Sequence, residues 1–335
     1  MPIRGRQPAV RSLARAFLLI AVAATGLSVP GRAEAFNSSA WTRPQNELWA
    51  LLSFGRVVAG QQFLPDGREI AFIQGLPDQD TFVDESFYLQ AEYGLTRWLT
   101  FSAALPYKRI FIERESFFTE TQAPGNLYFG ARLGLFELLQ VRVPVVWSVE
   151  VGAWLPTGYT RNLTPSVGAG NVDFDVKTTL GAGFRLASWL PMYTQLGAGL
   201  RARSTAFAFS NATDCNVTSD VDCVVDAQPN FGDELMYLAE LGATPLKGSV
   251  LVFGKVFGNF SVLEPEVGFT AANPIPTRAR FVKVGVGAFV YPLRFFGVKY
   301  GENVGLGAQY FSTVDGQNFP RTDDLFFALE YKHQF

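Results

Sequence analysis

The feature that most constrains this chain is period-two alternation sustained to its last residue. Leu325–Phe335 reads LFFALEYKHQF. In an extended strand successive side chains point to opposite faces. Leu325, Phe327, Leu329, Tyr331, His333 and Phe335 therefore share one mostly apolar face. Phe326, Ala328, Glu330, Lys332 and Gln334 share the other. A half-buried soluble strand alternates in this way too. An aromatic C-terminus on the apolar face is instead the habit of bacterial outer-membrane barrels, whose last strand pairs with the first and ends in an aromatic girdle. Phe335 and Tyr331 are the expected assembly signal, with the barrel-assembly machinery as the partner that reads it.

The same alternation recurs upstream. Strands are expected over Asn46–Gly60, Val83–Leu95, Trp98–Ile112, Asn126–Phe136, Val143–Pro156, Val172–Phe184, Met192–Arg203, Leu235–Ala243, Val250–Phe260 and Phe281–Tyr291. A penultimate strand surrounds Leu306, Ala308 and Tyr310, and the terminal strand closes the set. In Val172–Phe184, Phe174, Val176, Thr178, Leu180 and Ala182 alternate with Asp173, Asp175, Lys177, Thr179 and Gly181. Register is ambiguous only in Val250–Phe260, where Lys255 and Asn259 share a face with Phe253 and Phe257. About twelve strands of roughly 9–13 residues suffice to cross a bilayer when tilted. The connections alternate long and short, with Gln61–Thr81, Glu113–Pro124, Thr157–Gly170, Ser204–Gly232 and Val262–Thr277 as the long ones and Val314–Thr322 as a turn. The expected fold is all-β: a transmembrane, antiparallel, up-and-down barrel of about twelve strands. A soluble sandwich or propeller is the alternative, but no blade-sized repeat is visible.

Composition agrees. Charged residues are 17% and aromatics 14% of 335, yet mean hydropathy is only +0.13. Ala16–Val29 is the one long apolar run. It follows Arg4, Arg6, Arg11 and Arg15 and precedes the small-x-small triplet Ala33–Ala35. That order defines a secretory signal over residues 1–35, too short for a membrane anchor. The expected mature chain, 36–335, holds 23 of the 28 basic and 29 of the 30 acidic residues, for a net charge of −6. Mild acidity without a basic cluster excludes nucleic acid as a partner. The bacterial outer membrane is the expected location and its lipid the expected surround. Cys215 and Cys223, in a polar segment of an exported chain, suggest a local disulfide. Neighbouring Asp214, Asp220, Asp222 and Asp226 leave a calcium site as the less favoured alternative, and neither a metal nor a cofactor is expected.

If the apolar faces meet lipid, the opposite faces line a lumen. The candidate solute path is Glu92, Arg132, Glu150, Asp173, Asp175, Lys177, Arg201, Arg203, Glu240, Lys283 and Glu330, with Lys332 beside them. Glycines are frequent on that face, among them Gly130, Gly152, Gly285 and Gly287. Two arrangements compete: the charges pair and fill a narrow barrel, or they leave a wet path that the glycines keep open. About ten polar or mixed residues precede the first strand, and no long amino-terminal segment is expected to form a folded plug. An enzyme is not expected, because the single histidine, His333, falls in the lipid-facing register near the end.

EYGLTRWLTFSAALPY (Glu92–Tyr107), GNLYFGARLGLF (Gly125–Phe136), VGAWLPTGY (Val151–Tyr159) and GAGNVDFDVKTTLGAGF (Gly168–Phe184) resemble the outer-membrane proteins grouped with the phenol meta-pathway transporters. That group is distantly similar to the long-chain fatty-acid transporters. The resemblance implies passive uptake of small, hydrophobic or aromatic solutes and carries over no binding residue. A structural or adhesive barrel whose surface loops do the work is the alternative.

Overall fold

The computed structural model describes residues 38–64, 66–71, 82–114, 117–157, 159, 167–168, 171–204, 232–262, 279–298 and 303–335. The signal segment, Cys215 and Cys223 lie outside them. Fourteen strands form one sheet: β1 (Glu47–Phe63), β2 (Glu69–Ala71), β3 (Phe82–Thr96), β4 (Leu99–Arg114), β5 (Phe117–Pro124), β6 (Leu127–Gly134), β7 (Val145–Leu155), β8 (Asp173–Ala187), β9 (Leu190–Arg203), β10 (Glu234–Ala243), β11 (Val250–Ser261), β12 (Arg280–Val290), β13 (Val304–Gln317) and β14 (Phe319–Gln334). Each barrel strand pairs antiparallel with its neighbours, and β14 returns to β1. With β2 and β5 set aside, twelve strands close the ring.

The closing pair carries the terminal alternation. Leu52 faces Leu329, Phe54 faces Phe327, and the Phe335 amide donates to the Asn46 carbonyl at 3.0 Å. Closure leaves no transmembrane edge with unpaired backbone groups, which hydrocarbon cannot solvate. Leu52, Phe87, Leu105, Phe129, Val151, Val176, Leu200, Val286 and Leu329 all stand exposed on the outer wall. A continuous apolar girdle of this kind belongs in a bilayer.

Three stretches differ from the sequence expectation. Phe117–Pro124, expected as loop, is strand β5 and forms a hairpin with the upper part of β4. Residues 69–71 pair with the end of β1. The expected turn Val314–Thr322 is two strand arms meeting at Asn318, whose φ is +49°. All three lie at the rim with the long connections, which faces the cell exterior in such barrels. Beyond the bilayer no face meets lipid, so strand pairing needs no apolar alternation.

Although Gly183 has nothing within 4 Å above it, most of the inward glycines do not hold space open. Rings lie over them: Tyr128 across Gly130 and Gly152, Phe253 across Gly287, Phe289 across Gly307 and Phe326 across Gly55. Three of the pairs, Phe253–Gly287, Phe289–Gly307 and Phe326–Gly55, are direct cross-strand partners. A side chain at the glycine would overlap the ring, so each notch is a packing device. The register of β11 follows from this. Phe253 and Phe257 point inward with Lys255 and Asn259 because the lumen beside β10–β14 is itself aromatic. Phe257 meets Phe311 edge-on at 5.2 Å and Phe281 stacks on Phe319 at 4.7 Å. Met236 and Leu238 complete that cluster.

Gly287→Leu should overpack the wall and lower stability by about 1–3 kcal/mol. Adding Phe253→Ala should recover most of the loss. Urea midpoints of the refolded barrel, read by heat-modifiable gel mobility, check this; equal stability of the single and double variants would refute the notch.

Candidate functional site: the lumen

The inner faces of β3–β10 carry a wall of charge. Arg132, Glu150 and Lys177 stand directly opposite one another across β6, β7 and β8. Asp175, Arg201 and Glu234 do the same across β8, β9 and β10. Arg132 bonds Glu92 and Glu150 at 2.8 Å each. Lys177 lies 3.7 Å from Glu150 and 3.1 Å from Asp175. Arg201 grips Asp175 through two nitrogens, at 2.8 and 3.2 Å. Arg203 bridges Asp173, at 3.2 Å, and Glu234. Arg43 caps the chain on Glu92. Five cations thus meet five carboxylates. Glu150 is 0% exposed and Arg132, Lys177 and Asp175 are each 1% exposed. Charges so removed from water persist only when paired and hydrogen-bonded, and here they are. Trp154 donates its indole N–H to Asp175 at 2.8 Å, and the Tyr128 hydroxyl donates to Glu150.

The chain before β1 enters this wall. The Ser38 hydroxyl donates to Glu150 at 3.3 Å, and the Ser148 hydroxyl donates to the Ser39 carbonyl at 2.8 Å. The Ala40 amide donates to the Gln195 side chain at 3.1 Å. Arg132 donates to the Trp41 carbonyl at 3.2 Å, and the Arg43 amide to the Thr100 hydroxyl at 2.8 Å. The Trp41 ring meets Tyr193 edge-on at 5.7 Å. Residues 38–46 therefore run from the short-turn rim into the lumen, with 38–43 bonded to the wall and 44–46 exposed at the rim; the expectation concerned a long folded plug and did not foresee this short insertion. Their polarity leaves no alternation to read, and their partners are far away in sequence. From the other rim, Tyr159 and Val167 of the β7–β8 connection pack on Ile110, and the Tyr159 hydroxyl donates to Asn126.

All the expected lumen residues face inward, but not as one group. Glu92, Arg132, Glu150, Asp173, Asp175, Lys177, Arg201 and Arg203 form the wall above. Lys283 pairs separately with Asp324 between the rings of Phe281 and Phe319. Glu330 accepts from Trp49 at 2.7 Å and Tyr291 at 2.8 Å and pairs with Lys332 at 2.7 Å. Glu240 accepts from the Tyr193 hydroxyl at 2.8 Å. The expectation missed Arg43, Glu234 and Asp324. Glu234 and Asp324 each stand one residue outside the strands expected from apolar periodicity. His333 lies between Tyr331 and Phe335, ring to ring at 6.3 and 4.6 Å, in an aromatic cluster at the rim. Among the described residues no group of histidine, cysteine and carboxylate side chains could hold a metal.

No family model and no curated protein matches the chain. Solved structures do. An outer membrane channel from Pseudomonas putida F1 superposes with a TM-score of 0.60 at 14% identity, covering 90% of this chain and 100% of that one. The translocator domain of the autotransporter NalP from Neisseria meningitidis gives 0.44 at 11% identity, over 98% and 96% of the two chains. The CymD monoaromatic hydrocarbon channel gives 0.37 at 7% identity, over 92% and 95%. At such identities the likeness is one of fold, carried by the superposition at 0.60: a closed antiparallel β-barrel of the transmembrane type.

Glu150 bonds Arg132, Lys177, Tyr128 and Ser38 together; without it Arg132 keeps only Glu92 and Lys177 only Asp175, so Glu150→Leu should leave one buried positive charge of the wall uncompensated. The expected loss is about 3–5 kcal/mol, measured by urea unfolding of the refolded barrel. A loss below 1 kcal/mol would mean that water enters this wall.

Proposed function

We propose that the protein is an outer-membrane channel, closed in this state by its own residues 38–46, for passive uptake of small hydrophobic or aromatic solutes. One observation carries the proposal: the chain folds its N-terminal segment back into the lumen and bonds it to the wall at five side chains. A barrel that serves only as a scaffold has no need of such a stopper. Once residues 1–35 are removed the segment is tethered to the barrel only through β1, and its hydrogen bonds are separate contacts each worth about 1 kcal/mol net. It can leave without breaking the barrel. The opposite half of the lumen, rich in phenylalanine and tyrosine, suits a solute with an apolar body. Export with removal of residues 1–35 belongs to the same proposal, and so does a role outside catalysis.

The structural or adhesive alternative draws support from the dry, charge-balanced wall. Planar-bilayer conductance separates the two. The refolded 36–335 chain should open rarely. Deletion of residues 36–45 should raise steady conductance several-fold while heat-modifiable mobility shows a folded barrel. A folded deletion variant that stays electrically silent would refute the stopper and favour the scaffold.

A further inference from the structure

The lumen has two unlike sides. The charged wall is sealed, whereas Tyr193, Glu240, Phe253, Lys255 and Gln309 keep partial exposure inside the ring. Lys255 stands out among the inward cations. Arg43, Lys108, Arg132, Lys177, Arg201, Arg203, Lys283 and Lys332 each have a carboxylate within 4 Å. Lys255 has no ion pair or hydrogen bond among the described residues; its Nζ lies 5.2 Å from the Phe257 ring centroid. Its register partner is Glu240, whose carboxylate is engaged by the Tyr193 hydroxyl.

We propose that Lys255 is a subsite for the carboxylate of a small aromatic acid, whose ring lies against Phe253 and Tyr193. This deepens the channel reading and rests on it. An ammonium with no hydrogen-bond acceptor among the described residues, set beside the Phe257 ring, gains most from an anion that brings its own apolar body. The rings beside it supply apolar contact at low entropic cost, because they are already fixed over Gly287 and Gly242. Glu240 acts as the repulsive element. One carboxylate can be placed on Lys255 away from it, while a second negative charge would meet it, so the subsite selects monoanions over dianions. The ring of Tyr193 also touches Trp41 of the stopper, which sets the bound acid beside the segment that must move.

Isothermal titration of the refolded 36–335 barrel in detergent, with benzoate, benzyl alcohol, benzylammonium and phthalate, tests the subsite without requiring conduction. A channel that proves electrically silent leaves the titration standing, and a conducting channel without benzoate binding removes only the subsite. Benzoate should bind at least about tenfold tighter than the other three. Lys255→Gln should abolish that preference, leaving benzoate no better than benzyl alcohol. Lys255→Arg should retain it, and Glu240→Gln should admit phthalate. Equal benzoate affinity in wild type and Lys255→Gln would overturn the proposal. So would a wild-type preference for benzyl alcohol or benzylammonium, which needs no variant to fold.

Discussion

The structure depends on one constraint: inside hydrocarbon every backbone N–H and C=O needs a partner from the chain itself. The pairing of β1 with β14 meets it. Once the ring is closed the period of two fixes everything else, because each residue is committed to lipid or lumen with no intermediate choice. The outer wall solves a simple problem, with leucine, valine and phenylalanine repeating strand after strand. The inner wall solves a harder one, since twelve strands enclose more space than aliphatic side chains alone would fill.

Two different materials fill that space. Along β3–β10 the filling is ionic, with side chains of opposite sign facing one another on adjacent strands. Along β10–β14 it is aromatic, with rings lying flat over glycine notches. Both remove water, but they do not respond alike. The phenylalanine rings seated over glycine offer no hydrogen-bonding group to a neighbour. A chain of ion pairs accepts further polar partners wherever a donor or acceptor remains, and the segment 38–46 uses that property. It docks on the ionic half by backbone amides, carbonyls and serine hydroxyls, and its one tryptophan reaches Tyr193 at the boundary between the halves.

The transmembrane strands were legible in the sequence because lipid imposes a repetitive demand. Val172–Phe184 announces both of its faces, and the structure keeps every one of those assignments up to Ala182. The hairpin arm Phe117–Pro124 was illegible for the complementary reason: above the bilayer, hydrogen bonding alone makes the strand. The inward direction of Glu150 or Arg201 could be read from alternation, but their pairing could not. Pairing depends on register between strands, and a single sequence does not state register. The glycines misled for a related reason. Gly287 looks like empty space until Phe253 is known to lie directly across from it.

The ionic wall has a consequence for how the barrel is put together. Lys177 faces Glu150 on one side, and Asp175 faces Arg201 on the other. Slide β8 by two residues, the smallest slip that keeps its apolar side toward lipid, and the two directions fail alike. One sets Asp175 against Glu150; the other sets Lys177 against Arg201. Like charges opposed across a sheet repel, and out of water they do so strongly. Hydrophobic alternation cannot detect such a slip, because Phe174, Val176 and Thr178 serve the lipid equally well in either place. The buried charges therefore act as a proofreading code, admitting one alignment of the middle strands and rejecting its nearest errors on both sides.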